Sequence, residues 1–136
     1  MSRILAIDYG GKRCGIAVTD PLQIIASGLA TVQTNELLLY LQQYFEKEAV
    51  EKVVIGEPKN LRDEDTNATP LVHAFIKTFE NKFPNTPIIK VDERYTSKIA
   101  TRAMLEMGLK KKERRNKSLV DEISATIILQ EYLTKS

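Results

Sequence analysis

Cysteine and histidine are almost missing from this chain of 136 residues: Cys14 and His73 are the single examples of each. A lone cysteine excludes an intrachain disulfide, and one cysteine with one histidine cannot build a Cys/His zinc cluster, so any metal must be held mainly through oxygen. Long apolar runs are missing too. The opening Met1-Ser2-Arg3-Ile4-Leu5-Ala6-Ile7-Asp8 has too short an apolar stretch for a signal peptide, and no segment approaches the ~18 apolar residues of a membrane span. The expectation is a cytoplasmic protein with no membrane partner. No internal repeat or low-complexity segment divides the chain, and its length suits one domain over residues 1–136. An excess of one charge sign is also lacking, since the net charge is only +2, but the distribution is uneven. Lys110, Lys111, Lys112, Arg114, Arg115 and Lys117 fall within eight residues. That run can neutralise phosphates, or it can be a solvated loop between helices.

What is present is an alternation of strand and helix signals. Residues 3–8 form an apolar run, 14–20 a second and 24–33 a third that contains Gly28, with connections short enough for an antiparallel meander. From about Asn35 to Lys47 the residues Leu37, Leu38, Leu41, Tyr44 and Phe45 recur at helical spacing, and Val53-Val54-Ile55-Gly56 reads as a buried strand. A polar stretch from Lys59 to Asn67 precedes a second helix, in which Leu71, Val72, Phe75, Ile76 and Phe79 share a face; Pro84 and Pro87 bracket its end. Ile88 to Asp92 is a further strand, followed by helices over about Ser97–Met107, stopped by Gly108, and Ser118–Thr134. Three antiparallel strands followed by two joined through helices predict an α/β fold, a mixed five-stranded sheet with helices on both faces.

Three acids stand where such a fold would gather them. Asp8 closes the first run ahead of Gly10 and Gly11, Glu93 follows the last strand, and Asp121 heads the last helix. Each has a plainer reading. Asp8 can initiate the glycine turn. Asp92 and Glu93 face opposite ways if the strand continues, so one of them can point to a site while the other meets Arg94 or solvent. Ser118-Leu119-Val120-Asp121 has the spacing of a capping box, whereas an earlier helix start puts Lys117 and Asp121 four apart on one face, an ammonium beside a carboxylate. Taken together, strand-end carboxylates and one from a final helix can converge on Mg2+ or Mn2+, hard cations that prefer oxygen. Two ions roughly 4 Å apart could activate a water and stabilise the leaving oxygen in phosphodiester hydrolysis. Cys14 reads as a small strand residue, His73 as a surface or packing histidine, and Tyr9 and Tyr95 as wall residues or platforms for a base.

Ile7-Asp8-Tyr9-Gly10 with Gly15-Ile16-Ala17 and Asp20, then Val91-Asp92-Glu93-Arg94-Tyr95-Thr96-Ser97, then Lys117 with Val120-Asp121-Glu122-Ile123-Ser124-Ala125 and Ile128-Leu129-Gln130, occur in this order. On these segments the chain, from about Ile4 to Leu133, resembles the YqgF (RuvX) family of ribonuclease H-like nucleases, described as Holliday junction resolvase-like and linked to pre-16S ribosomal RNA maturation. The resemblance implies a ribonuclease H-like fold with Asp8, Glu93 and Asp121 as the metal-binding catalytic acids. It places Lys117 near the scissile phosphate and Arg94 and Thr96 in support of the substrate or the loop; Lys12 and Arg115 join them as substrate-binding cations. It implies precursor ribosomal RNA, or branched DNA, as the nucleic-acid partner, with association to a ribosomal subunit and a monomer or homodimer as the working unit. The chain departs from the family after Gly56 and Pro58, where relatives carry further glycine and Lys59 to Asp65 here has none and three acids. It also has Ser124-Ala125 where two alanines are common, a packing-neutral change.

Rival readings come from other classes. The Asp8-to-Asp20 segment is similar to the first phosphate loop of actin-like ATPases and sugar kinases, which need a second phosphate loop and an adenosine site that this length leaves little room for. A P-loop is excluded because Gly10-Gly11-Lys12-Arg13 lacks the Gly-x-x-x-x-Gly-Lys-Ser/Thr spacing. A nucleic-acid or ribosome-binding module without catalysis stays open.

Overall fold

Arg3–Asp8 forms the first strand, β1, and the rest of the molecule is arranged around it. Ile4, Leu5, Ala6 and Ile7 are buried on both faces of the sheet, which only a central strand allows. The computed structural model describes residues 2–57, 69–92 and 117–135. After β1 come β2 (Arg13–Thr19), β3 (Ala26–Gln33), a short 3-10 turn (Thr34–Glu36), α1 (Leu37–Lys47), β4 (Val50–Glu57), α2 (Thr69–Lys82), β5 (Ile88–Asp92) and α3 (Lys117–Lys135). The sheet order is β3-β2-β1-β4-β5. β1 pairs antiparallel with β2 and parallel with β4, β2 pairs antiparallel with β3, and β4 pairs parallel with β5. This is the expected mixed five-stranded sheet, with helices on both of its faces. The helix expected over Ser97–Met107 lies outside the described residues.

Strand parity divides the interior into two unequal layers. On one face Leu5, Ile7, Cys14, Ile16, Val18, Val53 and Ile55 meet Leu37 and Leu41 of α1 and Val72, Phe75 and Phe79 of α2. This layer is thick: Phe79 is fully buried and its ring lies 4.9 Å from that of Phe83, 6.1 Å from Phe75 and 6.3 Å from Phe45. On the other face Ile4, Ala6, Ala17 and Val54 meet Ala125, Ile128 and Leu129 of α3. Small side chains make this layer thin. A Cβ added at Gly28 would stand 3.4 Å from the Cβ of Glu122 and 3.5 Å from Thr126 Oγ1, so anything larger than a methyl there would push α3 away. Ser124 and Ala125 are both buried, consistent with the close approach of the helix.

One detail differs from what the sequence pattern predicts, and another decides between two alternatives it left open. Leu71 stands on the expected apolar stripe of α2 but is 50% exposed, because it belongs to the first turns of the helix, beside Tyr9 at the open end of β1. Lys117 is already helical, so Ser118 lies within α3 rather than capping it, and the earlier-start alternative is the one observed. The burial pattern predicts that Phe79→Ala lowers the unfolding free energy by about 3–5 kcal/mol, whereas Leu71→Ala stays within about 0.5 kcal/mol, both read by urea denaturation. Comparable losses for the two variants would contradict this placement of the core.

Candidate functional site at the carboxyl edge of the sheet

β1, β4 and β5 run in the same direction, so their carboxyl ends lie along one edge of the sheet. β3 also ends at this edge, since its last residue, Gln33, lies opposite Arg13 at the start of β2. Asp8 occupies it as the last residue of β1, opposite Gly15. Its face follows from its neighbours. The Tyr9 ring packs 5.2 Å from that of Phe75, on the thick side, and Ile4 and Ala6 pack on the thin side. Alternation therefore puts Asp8 on the face that α3 covers.

The direction of α3 brings its first described turn to the same edge. Lys52, opposite Ile4 near the beginning of β1, has its Nζ 5.3 Å from the ring of Tyr132 near the end of α3. Glu122 abuts Gly28, which lies opposite Ala17 and hence level with Ala6. From that level Asp8 is two strand residues, about 6.6 Å, toward the edge. Asp121 and Lys117 are about 1.5 and 7.5 Å along the helix in the same sense. The level of Asp8 thus falls between those two positions. Asp121 also continues the stripe of Ala125, Ile128 and Tyr132, spaced as one helix face. Asp8 and Asp121 are therefore the next positions beyond the apolar contacts of the thin layer, one on each element.

The remaining acid, Glu93, lies outside the described residues, as do Arg94, Thr96 and Arg115. The backbone of Lys117 and Asp121 is described within α3. Among the described residues no group of three His, Cys, Asp or Glu side chains assembles around a common point. His73 is exposed on α2 on the opposite side of the sheet, and Cys14 is buried there with its Sγ 3.5 Å from Thr34 Oγ1. Neither belongs to the site, in keeping with the sequence reading of both.

The turn that follows Asp8 is fastened from the side. Thr34 donates its hydroxyl to the Gly10 carbonyl at 2.6 Å, and its amide donates to the Lys12 carbonyl at 3.0 Å. Gly10 must be glycine here, because a Cβ would collide with the Arg13 carbonyl oxygen. Lys12 is exposed on this turn, next to Asp8's edge, where a cation can meet a phosphate. Burial, with a smaller contribution from Cys14, pushes the Tyr9 phenol above its ordinary value, so it stays protonated at neutral pH.

Asp20, one of the residues that carry the family resemblance, does something else. Its carboxylate accepts amides from Leu22 at 3.1 Å, Ile24 at 2.8 Å and Ile25 at 2.7 Å, while its carbonyl accepts the Gln23 amide at 2.9 Å. Gln23 has φ of 60° within this loop. The loop lies at the far edge of the sheet, where Gln23 donates to the Ser2 carbonyl. Asp20 is thus a scaffold for the β2–β3 connection, a role that its place at a strand end did not reveal.

The family model described as "RuvX: Holliday junction resolvase" matches residues 2–135. The chain belongs to the RuvX family. A relative from Flavobacterium psychrophilum is 57% identical over 135 residues, 99% of this chain and 98% of that protein, and carries the name "Putative pre-16S rRNA nuclease". One of the same name from Bacteroides thetaiotaomicron is 56% identical over 133 residues, 98% of this chain and 96% of its own length. The structure of YeaZ from Pseudomonas aeruginosa is more distant, with a TM-score of 0.48 and 17% identity over 79% of this chain, which spans 50% of that one. Among the described residues no helix is long and apolar enough to cross a membrane.

The Asp20 loop, at the far edge of the sheet, leads to a pH prediction. The amides of Ile25, Ile24 and Leu22 hold the Asp20 carboxyl below the ordinary aspartate range. A depressed folded-state value means that the loop's stabilisation is present above the unfolded-state value and is lost as pH falls through the folded one. Carboxyl NMR titration should show Asp20 protonating at lower pH than a free aspartate, with the Ile24 and Ile25 amides losing exchange protection in the same window. Titration at or above the free value would refute it.

Proposed function

We propose that this RuvX protein is a metal-dependent nuclease that hydrolyses phosphodiester bonds of precursor 16S ribosomal RNA, with Asp8, Glu93 and Asp121 as its metal-binding acids. The observation that supports the proposal is the meeting of two elements at one edge: Asp8 ends β1 on the face covered by α3, and the Asp121 position stands one turn before Ala125, which packs against that face. Val91 packs on the same thin side. Parity along β5 then favours Glu93, two residues on, over Asp92 as the third acid. Names shared by relatives at 55–57% identity over nearly the whole chain support the substrate.

The donor chemistry fits a hard divalent cation. All three acids offer oxygen only, and Cys14 and His73 lie away on the other side of the sheet, so Mg2+ or Mn2+ suits the set and zinc does not. When bound, such a cation supplies charge stabilisation at phosphate and a more acidic water. The protein's own cations would do the positioning. Lys117, on the same helix face as Asp121, and Lys12, on the turn after Asp8, would meet the phosphates that flank the scissile bond, with Arg115, Arg94 and Thr96 extending the contact. Work on precursor RNA would place the protein in the cytoplasm beside a ribosomal subunit.

The family's description favours a second reading, cleavage of a four-way DNA junction. That reading requires two sites related by a two-fold axis, hence a homodimer, whereas RNA trimming can be done by a monomer. Cleavage of a precursor-like ribosomal RNA and of a matched DNA junction, each with Mg2+ or Mn2+, separates the two. Asp8→Asn should lower cleavage by more than about a hundredfold, the upper range for losing even a supporting residue of a metal site. Asp20→Ala, altered at the far edge, should retain it. Activity that survives a chelator or Asp8→Asn would remove the metal mechanism, and binding without cleavage under any metal would leave a non-catalytic module.

A further inference from the structure

Beside Asp8, on the opposite face of the sheet, a cleft of about 330 Å3 opens between α1, α2 and the end of β1. The partly buried Tyr9 forms its aromatic wall, backed by Phe75 of the core with the two rings tilted 38° to each other, and Leu71, half exposed, also lines it. Polar groups on its lining include Thr34, Asn35 and Thr78. Two of these are already engaged, since Thr34 donates to the Gly10 carbonyl and Thr78 to the Ala74 carbonyl. Asn35 is exposed and its amide has no hydrogen bond among the described residues, so it offers both a donor and an acceptor. An aromatic face with one free amide beside it matches a nucleobase, which presents a π-face and a hydrogen-bonding edge. The volume, at the low end of ligand pockets, admits one base with its sugar and little more.

Location identifies the occupant further. Tyr9 and Asp8 are consecutive, with Cα atoms about 3.8 Å apart, so a strand whose phosphate lies at Asp8 has its next nucleotide within reach of Tyr9 around the sheet edge. Lys12, on the turn that follows both residues and that Thr34 fastens, can meet the connecting phosphate. We infer that the Tyr9–Phe75 cleft receives an unpaired nucleobase from the strand held at Asp8, and thereby selects single-stranded segments over fully paired arms. A base inside a duplex is stacked on both faces and cannot enter such a cleft unless it is extruded. This rests on the reading of Asp8 as the place of the scissile phosphate, and it is tested by binding, separately from cleavage.

The test uses the full chain carrying Asp8→Asn, without divalent metal, and a labelled short single-stranded RNA made abasic at each position in turn. Fluorescence anisotropy should show one position where removing the base weakens binding by about tenfold, within the range for losing a stacking partner. Adding Tyr9→Ala should weaken the intact RNA by a similar factor and cancel the abasic effect at that position, while Tyr9→Phe keeps it. Ala74→Phe, which fills the cleft from one exposed position on α2, should reproduce the loss with an unchanged melting temperature. Full binding by Ala74→Phe, an abasic penalty unaltered by Tyr9→Ala, or equal affinity for paired RNA would overturn the inference. Metal-dependent cleavage of the parent protein is measured separately, so the cleft can fail while the nuclease stands, and the reverse.

Discussion

β1 is hydrogen-bonded on both sides and buried on both faces, and nearly every other element takes its position from it. The constraint is one of volume as well as polarity. Its odd positions, Leu5 and Ile7, are bulky and face the aromatic layer, whereas Ala6 on the other side admits α3. A slip of one residue would drive Ile7 toward α3 and leave Asp8 in the aromatic layer, so both packing and desolvation hold the register. Ile4's amide is completed by the buried Thr19 hydroxyl at 2.9 Å, which closes the ladder at the beginning of the strand. The far end closes on a carboxylate.

The thinness of the α3 layer then matters for chemistry. Ala6, Ala17, Gly28 and Ala125 leave little between helix and sheet, and a helix that lies close to the sheet carries its first turn close to the strand ends. With bulky residues at those positions, Asp121 would be lifted from the edge that holds Asp8. If the proposed site is right, small residues in this layer serve it as much as the core. The thick layer has no such duty, and it is there that the rings of Phe45, Phe75, Phe79 and Phe83 pack against one another.

Much of this was legible beforehand. Alternating and continuous apolar runs located all five strands, because strand burial on one or two faces writes itself into the pattern. The sequence also carried Asp8 and Asp121 as acids at element ends, but whether Asp121 capped a helix or stood within one depended on where α3 begins, which the Ser118-to-Asp121 spacing could not decide. Leu71 shows a different limit: periodicity reveals which face is apolar, not where the neighbouring layer runs out. Asp20 shows a third. An aspartate at a strand end looks the same in sequence whether it awaits a cation or its own loop's amides, and only the left-handed turn at Gln23 brings three amides onto its carboxylate.

On the proposed readings, parity at the end of β1 would let one short segment serve two recognitions. Asp8 belongs to the thin face and Tyr9 to the thick one, so two adjacent residues offer a carboxylate to one side of the edge and a ring to the other. A nucleic-acid strand crossing that edge presents the same alternation, charged backbone and then flat base, at a comparable spacing. Gly10 and Gly11 follow at once, and Thr34 fastens the turn through the Gly10 and Lys12 carbonyls. The proposed readings then need only this strand end, where the Asp8 and Tyr9 positions face opposite sides of one edge, to meet phosphate and base together.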